Sequence, residues 1–103
     1  MYEDIKLLSK KINKQISFSK SKGTLRGLHL QQEPFSQSKL IRVIKGKIQD
    51  VIVDVRPDSK YFGKHKSFII SERNKNLLFV PNGFAHGFCS LEDNTIVHYK
   101  VSN

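Results

Sequence analysis

The sequence predicts an all-β domain of antiparallel strands behind a short N-terminal helix, and three observations predict it. After residue 14 the chain breaks into short runs rich in Ile and Val, the texture of pleated, half-buried strands. Turn residues separate these runs at close intervals, among them Glu33-Pro34, Gly46, Arg56-Pro57-Asp58-Ser59 and Pro81-Asn82-Gly83. The length of 103 residues suits one compact domain, and neither an internal repeat nor a low-complexity linker divides it. The expected organisation is a helical lead-in over 1–14 and a β domain over 15–103.

The helix is expected because Ile5, Leu8 and Ile12 recur at helical spacing, with Glu3 and Asp4 leading and Lys10 and Lys11 trailing, as the helix dipole favours. Strands are then expected at 15–19, 25–31, 39–45, 47–56, 64–70, 77–80, 85–91 and 95–101. The segment KLIRVIKGKIQDVIVDV, residues 39–55, reads as a hairpin with a tight turn at Gly46 and Lys47. Period two then sorts its side chains. Lys39, Ile41, Val43, Ile48, Asp50, Ile52 and Asp54 share one face; Leu40, Arg42, Ile44, Gln49, Val51, Val53 and Val55 share the other. Both faces are largely apolar, so one is expected in the interior and the other against a second sheet or a partner subunit.

Lys39, Asp50 and Asp54 stand among isoleucines on the first face. Buried charges must be paired. The face therefore holds either a structural lysine–aspartate bridge or a wet pocket in which a cation awaits an oxyanion. Tyr99 shares a face with Val97 and Val101, while His98 points the opposite way.

Eighteen Lys and Arg against nine Asp and Glu give a formal charge of +9, which favours anionic partners: nucleic acid, acidic membrane or a phosphorylated small molecule. A solvated lysine-rich surface explains the same excess, and no basic module with interleaved aromatics suggests nucleic acid. Cys89 is the one cysteine, so an internal disulfide is ruled out; lying in HGFCSL, it reads as a small buried hydrophobe rather than a nucleophile. No stretch reads as a signal peptide or spanning helix, and a cytoplasmic location without membrane attachment is expected.

Two motifs carry chemistry. Gly23, His29 and Gln31 make GxxxxxHxQ, and Pro81, Gly83 and His86 make PxGxxH. In this order and about fifty residues apart, they resemble the paired motifs of the cupin superfamily, a jelly-roll barrel whose strands aim such side chains into one cavity. Metal-binding cupins carry a second histidine where this chain has Gln31, a poor ligand for a divalent transition metal, so no metal and no cofactor is expected.

Longer strings narrow the resemblance. SKGTLRGLHLQQ, SKLIRVIKGKIQDVIVDVRPDSKYFGKH, LLFVPNGFAHGFCSL and VHYK, spanning Gln15 to about Lys100, resemble the central segment of the dTDP-4-dehydrorhamnose 3,5-epimerase family. That resemblance implies a metal-independent jelly-roll cupin, a homodimer, and action on a dTDP-linked 4-keto-6-deoxyhexose. A C4 ketone acidifies the hydrogens on C3 and C5. Epimerisation then needs a base, a proton donor on the opposite face and a cation near the carbonyl oxygen. By resemblance His29 is the base, Tyr99 the acid and Lys39 the cation. Arg26 is a substrate-binding arginine suited to a diphosphate, and His86 a further substrate contact. Gln31, Asp50 and Asp54 are read as pocket lining or as support for Lys39.

The chain departs from the family pattern at Ser17, where members often carry a substrate-contacting asparagine. The family's upstream substrate strand and its downstream aspartate, the partner of the catalytic histidine, fall outside the matched segment. A histidine without its carboxylate loses tautomer control, so full activity of these 103 residues alone is not expected, and the alternative is a non-catalytic cupin that binds a nucleotide sugar or another anion.

Overall fold

The computed structural model of the chain describes residues 12–29 and 38–102. These form eight strands: β1 (Ile12–Ser19), β2 (Leu25–His29), β3 (Lys39–Lys45), β4 (Lys47–Asp54), β5 (His65–Ser71), β6 (Leu77–Val80), β7 (Phe84–Ser90) and β8 (Thr95–Ser102). They pair antiparallel into two four-stranded sheets, ordered β1-β8-β3-β6 and β2-β7-β4-β5. This order is a jelly roll: the chain alternates between the sheets from β1 to β4, turns back as a β4–β5 hairpin within one sheet, and alternates again from β5 to β8, so the all-β expectation holds.

The helix expected over the first 14 residues falls mostly outside the described residues. Where it can be followed it is corrected: Ile12, Asn13 and Lys14 lie in β1, paired with Ser102, Val101 and Lys100. Pairing with β8 engages the backbone groups on one edge of β1, which outweighs a three-residue helical spacing.

The expected hairpin at 39–55 is also corrected. β3 pairs with β8 and β6, whereas β4 pairs with β7 and β5, so Gly46 is a crossing point between sheets. Its φ of +89° is open to glycine, and a Cβ there would run into the Thr95 side chain. The expected division of faces nevertheless persists through the crossing. Ile41, Val43, Ile48, Asp50 and Asp54 are buried, while Leu40, Arg42, Ile44 and Gln49 are exposed. Two inner faces expected side by side instead oppose each other across the core.

That core joins Ile41, Val43, Ile48, Ile70, Leu78, Val80, Phe88 and Val97, with Ile52, Phe68, Phe84 and Tyr99 packed against it. Burying an Ile, Val or Phe side chain contributes about 1.5–3 kcal/mol, so this cluster holds the two sheets together. The outer surface of the β1-β8-β3-β6 sheet is left bare, with Ile16, Phe18, Leu40, Ile44, Leu77 and Phe79 exposed.

Candidate active site

The inner faces carry a polar group as well as the core. Lys39 begins β3, opposite Val101 and Val80, and is partly buried. Burial pushes its ammonium below the ordinary lysine range, with the charge of Asp50 acting in the opposite sense. Asp50, on β4, is fully buried. Burial raises its carboxyl above the ordinary range, while hydrogen bonding to His86 and the charges of His86 and Lys39 pull it down. One carboxylate thus lies between two groups able to carry positive charge.

His86, on β7, is buried and places Nε2 2.7 Å from Asp50 Oδ2. The register makes this contact: β7 and β4 are neighbours, Ile52 lies opposite His86, and Asp50 lies opposite Phe88, one inward position along. The His86 and Phe88 rings stand 6.2 Å apart and tilted. On the other side of β7, the backbone of His29 lies opposite His86, which brings both motif histidines to adjacent strands. The side chain of His29 and the whole of Gln31 lie outside the described residues.

The position of β2 is set at its start. Gly23 N–H donates to the Ser90 carbonyl at 2.7 Å, and Thr24 N–H donates to Ser90 Oγ at 2.9 Å. Gly23 holds a φ of +88°, which a residue with a side chain rarely adopts. Arg26, farther along β2, reaches the opposite sheet: Nε donates to Ser19 Oγ at 3.2 Å and Nη2 to the Phe18 carbonyl at 2.7 Å. Two of its five N–H groups are thereby engaged.

Tyr99 lies on β8 opposite Ile41 and Gln15, partly buried and packed against the core, while His98 faces outward beside Arg42, Leu40 and Leu77. Lys39, Asp50, His86 and Tyr99 therefore all point between the sheets. Such a setting supplies a cation, a carboxylate–imidazole pair and a phenol to any ligand entering there, in a medium where charges act more strongly than in water.

Asp54 does not join them. Arg56 donates to it through its backbone N–H at 3.0 Å, Nε at 3.0 Å and Nη2 at 2.8 Å, and the Ser59 hydroxyl donates at 2.6 Å. Those bonds, that of the Arg56 side chain foremost, hold its carboxyl well below the usual range. Arg56 also lies 4.9 Å from the centroid of Phe84. Asp54 is thus a structural clamp at the end of β4, not support for Lys39. It does line a cavity of about 290 Å³, together with Arg56, Tyr61, Lys64, Lys66 and Phe84, but none of Lys39, His86 or Tyr99 is in that wall.

The Asp50–His86 pair was not anticipated from the sequence. Period two places Asp50 inward, and the motif singles out His86, but their contact spans 36 positions and depends on β7 lying beside β4. Among the described residues no three His, Cys, Asp or Glu side chains form a metal-ligand set, and no helix is long and apolar enough to cross a membrane.

Comparison with known proteins places this arrangement. The family model described as dTDP-4-dehydrorhamnose 3,5-epimerase matches residues 1–103. A dTDP-4-dehydrorhamnose 3,5-epimerase of Shigella flexneri is 50% identical over 90 residues, covering 86% of this chain and 50% of that protein. The crystal structure of the Bacillus anthracis epimerase, with TDP and PPi bound, superposes with a TM-score of 0.87 at 50% identity, covering 88% of this chain and 52% of that one. An epimerase from Legionella pneumophila, solved in complex with dTDP-4-keto-L-rhamnose, gives a TM-score of 0.83 at 41% identity, covering 88% of this chain and 47% of that one. The chain spans about half the length of the relatives it matches.

Proposed function

The chain belongs to the dTDP-4-dehydrorhamnose 3,5-epimerase family, and from that premise we propose that it carries the proton-transfer centre of an epimerase acting on a dTDP-linked 4-keto-6-deoxyhexose. The observation that carries this reading is Lys39: an ammonium drawn into the space between the sheets, on the same interior as Tyr99 and His86. A cation so placed is suited to an oxygen that becomes negative during the reaction.

The mechanism follows from the acidity of a carbon next to a ketone. His29 removes the hydrogen at C3 or C5, the electron pair moves toward the C4 oxygen, and Lys39 holds the resulting enolate. Tyr99 then delivers a proton to the opposite face of that carbon. Arg26, with three N–H groups beyond those bound to β1, takes the diphosphate, and His86 contacts the sugar. Gln31 is assigned to the pocket wall on its motif position alone. The chemistry calls for no metal or redox cofactor.

A homodimer is part of the proposal. Six exposed apolar side chains on the outer sheet form a larger bare patch than scattered surface residues make, and a second copy would cover it. Sedimentation equilibrium checks this; a monomer at micromolar concentration refutes it. A nucleotide-sugar substrate is made and used in the cytoplasm, which is the location proposed.

The test is NMR in deuterated water, following exchange at C3 and C5 of dTDP-4-keto-6-deoxy-D-glucose. Exchange at these carbons, abolished by His29→Ala, is the expected result. A folded chain that catalyses no exchange would refute the catalytic reading and leave ligand binding as the function.

A further inference from the structure

Asp50 poses a question that the mechanism above does not use. Its Oδ2 meets His86, while Oδ1 is one of two buried side-chain polar atoms without a hydrogen-bond partner among the described residues, the other being Ser17 Oγ. A fully buried, half-satisfied carboxylate costs stability, and a well-packed apolar residue would suit the core better. Its effect is therefore to be sought in what it does to the ring beside it.

An imidazole has two nitrogens, and the one that carries the proton is set by the partner of the other. An ionised carboxylate is acceptor-only, so at 2.7 Å it requires a proton on Nε2. The competing arrangement moves that proton to Asp50 and leaves an N–H on Nδ1. Burial of Asp50 favours that arrangement, while the hydrogen bond with His86 and the nearby Lys39 charge favour the carboxylate. Lys39 and Asp50 thus act together on a ring that neither strand β3 nor β4 contains.

We propose that Asp50 is a positioning residue, which fixes His86 with its proton on Nε2 and so leaves Nδ1 as the nitrogen that accepts a hydrogen bond from a sugar hydroxyl. The proposal rests on the reading of His86 as a substrate contact. It extends that reading from the presence of the ring to its tautomer, and it assigns Asp50 to the site through His86 rather than through Lys39.

The experiment is a long-range proton–nitrogen correlation spectrum of the ¹⁵N-labelled chain at neutral pH, with the His86 signals identified by their loss in His86→Gln. A protonated Nε2 and an unprotonated Nδ1 are expected. In Asp50→Asn the amide can turn either its oxygen or its NH₂ to the ring, so a mixture of tautomers should replace the single one. In the exchange assay the same variant should lose about tenfold in kcat/KM, chiefly through a higher KM, because the hydrogen bond from the sugar hydroxyl to Nδ1 is made in the bound substrate as well as along the reaction. An unprotonated Nε2, or a proton on both nitrogens, in the unmodified chain overturns the proposal, as does a loss of kcat/KM in Asp50→Asn without any change of tautomer. Should Asp50→Asn fail to fold, the spectrum of the unmodified chain still decides. Should no exchange occur at all, the epimerase reading fails separately, because the tautomer is measured without substrate.

Discussion

Replacing Lys39 with methionine isolates the cation on which the catalytic reading depends. The stem stays similar in length and the charge disappears. An ammonium about 3 Å from a developing enolate oxygen gains roughly 1.4 kcal/mol in bulk water and roughly 5.5 kcal/mol at the effective dielectric of a protein interior. Lys39 is partly buried, which places it between these limits at about 3 kcal/mol. That corresponds to a fall of about a hundredfold in the exchange rate, since each 1.36 kcal/mol is a factor of ten. The loss should appear in kcat rather than KM, because the charge it balances forms only along the reaction. The assay is exchange at C3 and C5 in deuterated water at saturating substrate, and a rate within threefold of the unmodified chain would refute the argument.

Stability supplies an independent arm. The folded-state pKa of Lys39 lies below 10.5, so the folded chain binds its proton less tightly than the unfolded chain does. Stability therefore rises with pH between the folded value and 10.5, and activity should fall over the same interval as the ammonium loses its proton. Both trends should be absent from Lys39→Met, so that the difference between it and the unmodified chain carries them. The variant should melt no lower than the parent at neutral pH, as expected where a charge is held in the interior for function.

Two further substitutions test the frame. Gly46→Ala combines a left-handed φ with a collision against Thr95, so it should destabilise by more than the roughly 1–2 kcal/mol of the backbone conformation alone, read from the urea midpoint. Asp54→Asn should lower the melting temperature by weakening the clamp with Arg56 and Ser59. Because the folded pKa of Asp54 lies below 3.8, that difference should be full above pH 3.8 and shrink only in stronger acid; a difference that fades near pH 6 would count against the clamp.

Much of this was legible in the sequence because period two is a local property. Ile41, Val43, Ile48 and Asp50 turn inward whatever strand lies beside them, since successive side chains of any strand alternate. The same alternation placed Tyr99 inward and His98 outward. Strand limits at 39–45 and 77–80 also came through unchanged, each bounded by a residue with strong turn chemistry or by a change of texture. The motif residues His29, Lys39, His86 and Tyr99 could be named from spacing and resemblance without knowledge of a single pairing.

Pairing itself is not local, and there the tertiary structure decided. The segment around Gly46 favours a hairpin on neighbour rules alone, yet the jelly roll sends β3 and β4 to opposite sheets, because each finds two partners there and their apolar faces meet across the core. A chain that alternates by twos specifies which way each side chain faces but not which strand it faces. The Asp50–His86 contact, the Arg26 link to β1 and the capture of Asp54 by Arg56 followed only once neighbouring strands and the folded β4–β5 loop were in place. The sequence by itself determined the residues available for chemistry and the side of the strand on which each stands; folding determined which of them share a proton, because a hydrogen bond needs its partners within about 3 Å and that distance is set by the packing of the whole sandwich.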